Sequence, residues 1–246
     1  MAIHDFTSER LFVSADLGEG VTVPLSEDQA HYLVNVLRVK TGAGLLVFNG
    51  RDGEWRAILS EVKKRGATLT IASQSRPQSN GPGIDYLFAP LKHTRLDYMV
   101  QKAVEMGVAR LRPVITRRTI AERVNLIRMR ANAVEAAEQC GVLRVPEISE
   151  PIALNKAIEQ WDPGRTLIFC DEDAAQKNPL AALSKLKRGP LALLIGPEGG
   201  FDEGERQLLK SRDFVIHLSL GPRIMRADTA AVAALALINA SLGDWS

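Results

Sequence analysis

Leu191-Ala192-Leu193-Leu194-Ile195-Gly196-Pro197-Glu198-Gly199-Gly200-Phe201 decides the fold. Five apolar residues without polar alternation fit a strand buried on both faces, as in a parallel sheet. The turn after them runs directly into a helical pattern at Glu203–Ser211. In a parallel α/β sheet, ligands bind beyond the carboxyl ends of the strands. Three glycines permit tight turning and a close approach to the backbone, and amides at a helix start suit an acceptor-rich partner. A plain strand-to-helix turn, with Glu198 serving as a helix-terminus carboxylate, accounts for the same residues. The local sequence leaves both open.

The chain around this stretch alternates strand and helix. Strands are read at Tyr86–Ala89, Leu111–Thr116, Thr166–Cys170, Leu191–Ile195 and Phe214–Leu218. Helices are read at Arg95–Met106, Asn125–Cys140, Leu154–Trp161, Leu180–Leu186, Glu203–Ser211 and Asp228–Leu242. That order predicts an α/β domain whose parallel sheet is covered on both faces. Upstream, residues 73–83 (SQSRPQSNGPG) read as a linker that holds neither helix nor central strand. Residues 1–72 carry short β-favouring runs at 11–13, 20–24, 44–48, 54–59 and 67–71. One helix interrupts them, capped by Ser26, with Ala30, Leu33, Val34 and Leu37 on a single face. A small β-barrel domain is expected at 1–72, and the α/β domain at 84–246.

A second loop stands out after the strand Phe214–Leu218. It reads Gly221-Pro222-Arg223-Ile224-Met225-Arg226-Ala227-Asp228-Thr229 and opens an alanine-rich helix. Asp228 fits a helix N-cap. Two arginines and an aspartate at a strand's carboxyl end equally fit a site for an acidic substrate. Alanines at 230, 231, 233, 234, 236 and 240 mean that something packs very close to this helix, either a crowded core or a subunit interface.

The composition excludes several classes. Of 246 residues 46% are hydrophobic and 24% charged, which rules out a disordered chain, and two cysteines rule out a disulfide scaffold. Cys140 and Cys170 lack any CxxC or histidine spacing and are expected to be buried reduced thiols; no metal-ligand cluster is present. His217, inside an apolar strand, is expected to be a satisfied core residue. The N-terminus lacks a secretory apolar core, and the longest apolar run, Ala230–Ile238, is half a bilayer span, so a cytoplasmic protein without a membrane partner is expected. No GxGxxG or GxxxxGK[ST] occurs, which removes sequence support for hydride transfer and NTP hydrolysis.

The net charge is only +2. Residues 1–80 hold nine basic and nine acidic side chains, 81–150 eleven and eight, and 151–246 eleven and twelve. Arg110, Arg112, Arg117, Arg118, Arg123, Arg128 and Arg130 stand against one acid, Glu122. Such a run predicts a localised basic face for a polyanion.

Residues 195–201 (IGPEGGF) followed by 218–230 (LSLGPRIMRADTA) resemble the RsmE family, small-subunit (16S) ribosomal RNA uridine N3-methyltransferases of the SPOUT class. Residues 101–107 (QKAVEMG), 138–141 (EQCG) and 144–148 (RVPEI) carry the resemblance further, and 31–42 (HYLVNVLRVKTG) resembles part of the family's PUA-like RNA-binding domain. The resemblance implies a SPOUT-type sheet with a C-terminal trefoil knot, a homodimer through the knotted domain, and S-adenosyl-L-methionine as cofactor. By the same resemblance the cofactor would lie against Ile195, Gly196, Pro197, Gly199, Gly200, Leu218, Leu220, Gly221 and Met225. Asp228, Arg226, Arg223 and Glu198 would form the catalytic group. Arg38, Lys92, Arg95, Lys102, Arg117, Arg118 and Arg144 would contact small-subunit ribosomal RNA or the assembled subunit. The family commonly carries Glu at the position of Asp228, and its KGDRxE pattern is interrupted here at His93, Thr94 and Asp97.

Overall fold

The structure, a computed structural model, describes residues 5, 7–64, 66–121 and 123–245. His4 and Glu122 lie outside the described residues. The chain divides into two compact units, one of residues 1–80 with 137–144 and the other of 81–136 with 145–246.

The first unit contains β1 (Arg10–Phe12), β2 (Thr22–Pro24), β3 (Gly44–Phe48), β4 (Glu54–Lys63) and β5 (Gly66–Arg76), in sheet order β1-β3-β4-β5-β2. Among the described residues no ladder joins β1 to β2, so the expected barrel is hydrogen-bonded as an open five-strand path. Its core is Leu11, Val23, Leu33, Leu45, Val47, Leu59, Leu69 and Ile71. Helix α1 (Glu27–His31) starts at a capping box between Ser26 and Gln29, then widens into a π turn at Tyr32–Val36. The Leu37 amide donates to Tyr32 O, five residues back, and Leu33 and Leu37 pack against the same core. Arg38 closes the turn at φ +56°, in the left-handed region.

The start of the linker differs from the sequence reading. Ser73–Arg76, read as linker, continue β5 and pair with β4, with Arg56 opposite Ser73 and Glu54 opposite Arg76. β2 covers β5 only at Thr68–Thr70, so this end has a ladder on one side alone. Polar residues and a following proline suit such an edge.

In the second unit come β6 (Asp85–Phe88), α2 (His93–Glu105), β7 (Arg110–Ile115), α3 (Leu126–Cys140, whose last turn belongs to the first unit), β8 (Glu147–Ile148) and β9 (Ile152–Ala153). Then follow α4 (Leu154–Glu159), β10 (Thr166–Cys170), α5 (Pro179–Leu183), β11 (Leu191–Ile195), α6 (Glu203–Lys210), β12 (Val215–Leu218) and α7 (Ala227–Leu242). All pairings are parallel, in the order β12-β10-β11-β6-β7-β8, with β9 on β7. The two-residue strands β8 and β9 are too short for alternation to reveal. α4 and α6 contribute Leu154, Ile158 and Leu209 to a core with Leu87, Phe169, Leu194 and Phe201. α7 packs against α2, α5 and β11. Among the described residues no helix is long and apolar enough to cross a membrane.

The chain leaves β6 toward β7 and β8, whereas β10, β11 and β12 lie on its other side. The boundary between β6 and β11 is therefore a topological switch point, where open α/β sheets form their ligand crevice.

Candidate active site

The loop after β11 is shaped by one ring. A Cβ on Gly196 would overlap Phe201 at Cε2, Cδ2 and Cζ. Phe201 is buried edge-on against Phe169, centroids 5.0 Å apart, so only glycine lets the loop fold back over it. Gly200, at φ +69°, closes a turn by donating to Pro197 O at 2.9 Å. Arg118 Nη1 donates to Gly199 O at 2.7 Å, which ties the loop after β7 to the glycine loop. The α6 terminus is served by Asp202, whose side chain accepts from the Glu205 amide at 2.7 Å while Glu205 accepts from the Asp202 amide. Glu198 is therefore not the helix-terminus carboxylate.

The loop after β12 is open. Leu218 is buried, Leu220 and Met225 are half-buried, and Gly221 stands at φ +99° with nothing within 4 Å of where its Cβ would be. Arg223, Ile224 and Arg226 are exposed. Arg226 takes the N-cap position of α7 without a side-chain cap bond. Asp228 is the second helical residue and not the cap; its Oδ1 accepts from the Thr229 amide at 2.9 Å.

Arg95 joins the two loops. From the first turn of α2, its Nε and Nη2 donate to Asp228 Oδ2 and Oδ1, each at 3.0 Å. Its Nη1 donates to Glu198 Oε1. The Arg95 hydrogen bond is the main reason the Asp228 carboxyl lies below its ordinary range; burial works against it and the Thr229 amide adds to it. Asp228 and Glu198, 30 residues apart in sequence, thus share one guanidinium.

Sequence reasoning missed a second carboxylate at the strand ends. Asp171, directly after β10, is buried and accepts from Arg206 Nη1 at 2.5 Å. Its other oxygen lies 3.0 Å from His217 Nδ1. Burial opposes the charge on Asp171, but His217, the Asp173 amide and Arg206 together hold its carboxyl down. Arg206 also pairs with Glu172 and Asp173. The available signal was the acidic run Asp171-Glu172-Asp173 following a wholly apolar strand. His217, on β12, is therefore half-buried and paired with a carboxylate. Contrary to expectation, Cys140, at the end of α3, is exposed and Cys170 is half-buried, though burial of its thiol pushes it up to about 12.

The residues expected to contact RNA take different places. Lys92 is exposed at the N-cap of α2, and Lys102 pairs with Glu105 beside the Tyr98 ring. Arg117, 79% exposed, lies 3.4 Å from Asp202. In the first unit, Arg38 closes the π turn and Arg144 donates to Asn80 O at 2.7 Å.

Family models match almost the whole chain. An RNA methyltransferase domain covers residues 78–239 and an RNA methyltransferase PUA domain covers 25–72. Ribosomal RNA small subunit methyltransferase E of Synechocystis is 31% identical over 95% of this chain and 78% of its own length. The enzyme of the same name from Rickettsia conorii is 29% identical over 93% and 94%. The crystal structure of ribosomal RNA small subunit methyltransferase E from Neisseria gonorrhoeae bound to S-adenosyl methionine matches with a TM-score of 0.88 at 28% identity, covering 97% of this chain and 100% of that one. The chain therefore belongs to the RNA methyltransferase family, in its ribosomal RNA small subunit methyltransferase E group.

Proposed function

We propose that the protein transfers a methyl group from S-adenosylmethionine to N3 of a uridine in small-subunit ribosomal RNA. The observation that carries this reading is the meeting of Glu198 and Asp228 through Arg95, between two glycine-turned loops at the sheet's switch point. The residues fit the cofactor. Gly221 leaves open space where any side chain would stand, and the half-buried Leu220 and Met225, backed by the buried Leu218, offer an apolar wall to an adenine. Ile195, Gly196, Pro197, Gly199 and Gly200 offer a turn of backbone groups. Bound there, the cofactor supplies an already activated sulfonium methyl.

The chain's own part is to orient the uracil and to take the proton from N3. An imide N–H is a weak acid, and a carboxylate is a mismatched base for it unless the anion forming on the ring is stabilised. Arg223 and Arg226, exposed on the loop before α7, supply positive charge for O2 and O4. Asp228 or Glu198 accepts the proton. Lys92, Lys102, Arg117 and Arg118, with Arg38 and Arg144 of the first unit, are read as RNA contacts. The segment from β12 to α7 is read as the trefoil knot. The half-buried stripe Val232, Ala233, Ala236 and Leu237 of α7 is read as the homodimer face.

Calorimetric titration with S-adenosylmethionine is expected to show one site per chain. Labelled cofactor with unmethylated small subunits is expected to place the label on N3 of one uridine. Cofactor binding without any transfer to RNA would overturn the enzymatic reading in favour of a ribosome-assembly protein.

A further inference from the structure

Arg95 stands in the Lys92–Asp97 segment, where the sequence resemblance makes it an RNA contact, yet its guanidinium faces carboxylates. Nε and Nη2 meet Asp228, and Nη1 meets Glu198. One guanidinium between two carboxylates is a cluster of net charge −1, which repels a phosphate. Arg95 is 29% exposed and Asp228 16%, so this pairing is partly withdrawn from water. Packing of α2 against α7 fixes the two helix starts that carry Arg95 and Asp228.

We propose that Arg95 is a positioning residue for methyl transfer, which orients Asp228 through a bidentate pair and holds Glu198 beside it. The proposal rests on the methyl-transfer reading above. Without the guanidinium the two carboxylates repel each other, and Asp228 keeps the Thr229 amide and its own amide as contacts. The other elements packed on α7 offer no substitute: α5 is PLAAL and β11 is LALLI, neither with a charge. On α2, Asp97 engages Arg128, and Lys102 engages Glu105. Among the described residues the buried Tyr86 phenol of β6, itself pushed up by burial and by the nearby Cys170 and Asp228, also faces Asp228.

The test is Arg95→Met, which keeps the apolar stem, with Arg95→Lys as the charge-retaining partner. Both are assayed with labelled cofactor and small-subunit RNA after thermal melting and cofactor titration confirm folding. Arg95→Met is expected to lower kcat by about 10²-fold with KM for RNA unchanged, as for a misplaced catalytic group. Its acid limb of kcat is expected to move to higher pH, because the hydrogen bond that depresses the Asp228 carboxyl is gone. Arg95→Lys is expected to recover less than a tenth of the lost kcat, since a point charge does not reproduce a two-pronged contact. A raised KM with kcat intact, and a log–log salt slope reduced by about 0.7 to 0.9, is the signature of a lost phosphate contact and overturns the proposal. Carboxyl ¹³C titration of Asp228 reads the pair without RNA: an unmoved midpoint in Arg95→Met also overturns it. A wild-type protein that binds cofactor and methylates nothing counts against the functional reading instead, and the carboxyl titration still decides the pair.

Discussion

Gly196 shows how a residue-scale constraint legible in the sequence can answer to a neighbour inside the protein. A glycine at a strand's carboxyl end fits a tight turn and a close ligand approach alike; the group that stands where its side chain would be is the protein's own Phe201 ring. Open space stands at Gly221, in the other loop. Gly196→Ala is therefore expected to overpack the loop by about 1–3 kcal/mol and to lower both melting temperature and cofactor affinity. Adding Phe201→Leu should recover part of each loss; a double variant no better than Gly196→Ala would disprove the steric cause. The glycine pattern itself was legible because few alternatives explain three glycines in five residues. Its target was not, because Phe201 folds back through a turn that no periodicity encodes. Arg95 was illegible for the same kind of reason. Its partners are more than 100 residues away, and local sequence carries no record of that distance.

At the scale of elements, β5 was the misjudged boundary, and ion pairs explain it. Ser73–Arg76 have the composition of a linker, yet the last of them pairs with Glu54 across the ladder. Glu54, 2% exposed, receives Arg76 at 2.6 Å and Arg10 at 2.8 Å. Burial opposes its charge, but hydrogen bonds from Arg76, Arg10 and Ser75 outweigh that and hold its carboxyl at about 2. Strand length here is set by a buried charge cluster rather than by β propensity. Glu54→Gln leaves two largely buried guanidinium groups without their counter-charge and is expected to cost about 3 kcal/mol at neutral pH. The sign with pH follows from the lowered carboxyl. Its contribution is complete above the ordinary carboxylate range and is lost as pH falls through that range toward 2. Urea unfolding at pH 7, 5 and 3 should show the wild-type advantage over Glu54→Gln shrinking at the lowest pH. A difference independent of pH would remove the ion pair as its cause. By contrast, the buried strands β10 and β11 were legible to the residue, because continuous apolar runs have few other uses.

For the whole molecule, the arginine run of residues 110–130 is where topology changes the sequence reading most. β7 carries the run across the sheet, and seven residues of extended chain separate Arg110 from Arg117 by roughly 20 Å. Arg110 and Arg112 lie at the amino end of that strand, where they and Arg165 surround the buried Asp85 at 3.4, 3.6 and 3.5 Å. Arg117 and Arg118 lie at its carboxyl end, beside the glycine loop. Arg128 pairs with Asp97, and Arg130 donates to Pro146 O. Seven arginines therefore do not make one face. The folded chain pairs Arg110, Arg112 and Arg128 with carboxylates, uses Arg118 and Arg130 as donors to backbone carbonyls, and leaves Arg117 and Arg123 most available to a polyanion. The contact between Arg117 and Asp202 is no obstacle, since an exposed pair contributes little and yields to a phosphate. Each of Arg117→Ala and Arg123→Ala should then reduce the log–log salt slope of RNA binding by about 0.7 to 0.9 while sparing the melting temperature. Arg112→Ala should do the reverse, because Asp85 is 4% exposed and loses part of its counter-charge without any phosphate contact being removed. Equal slope changes in all three variants would mean that the run acts as one basic face after all, and that the strand between its ends does not divide it.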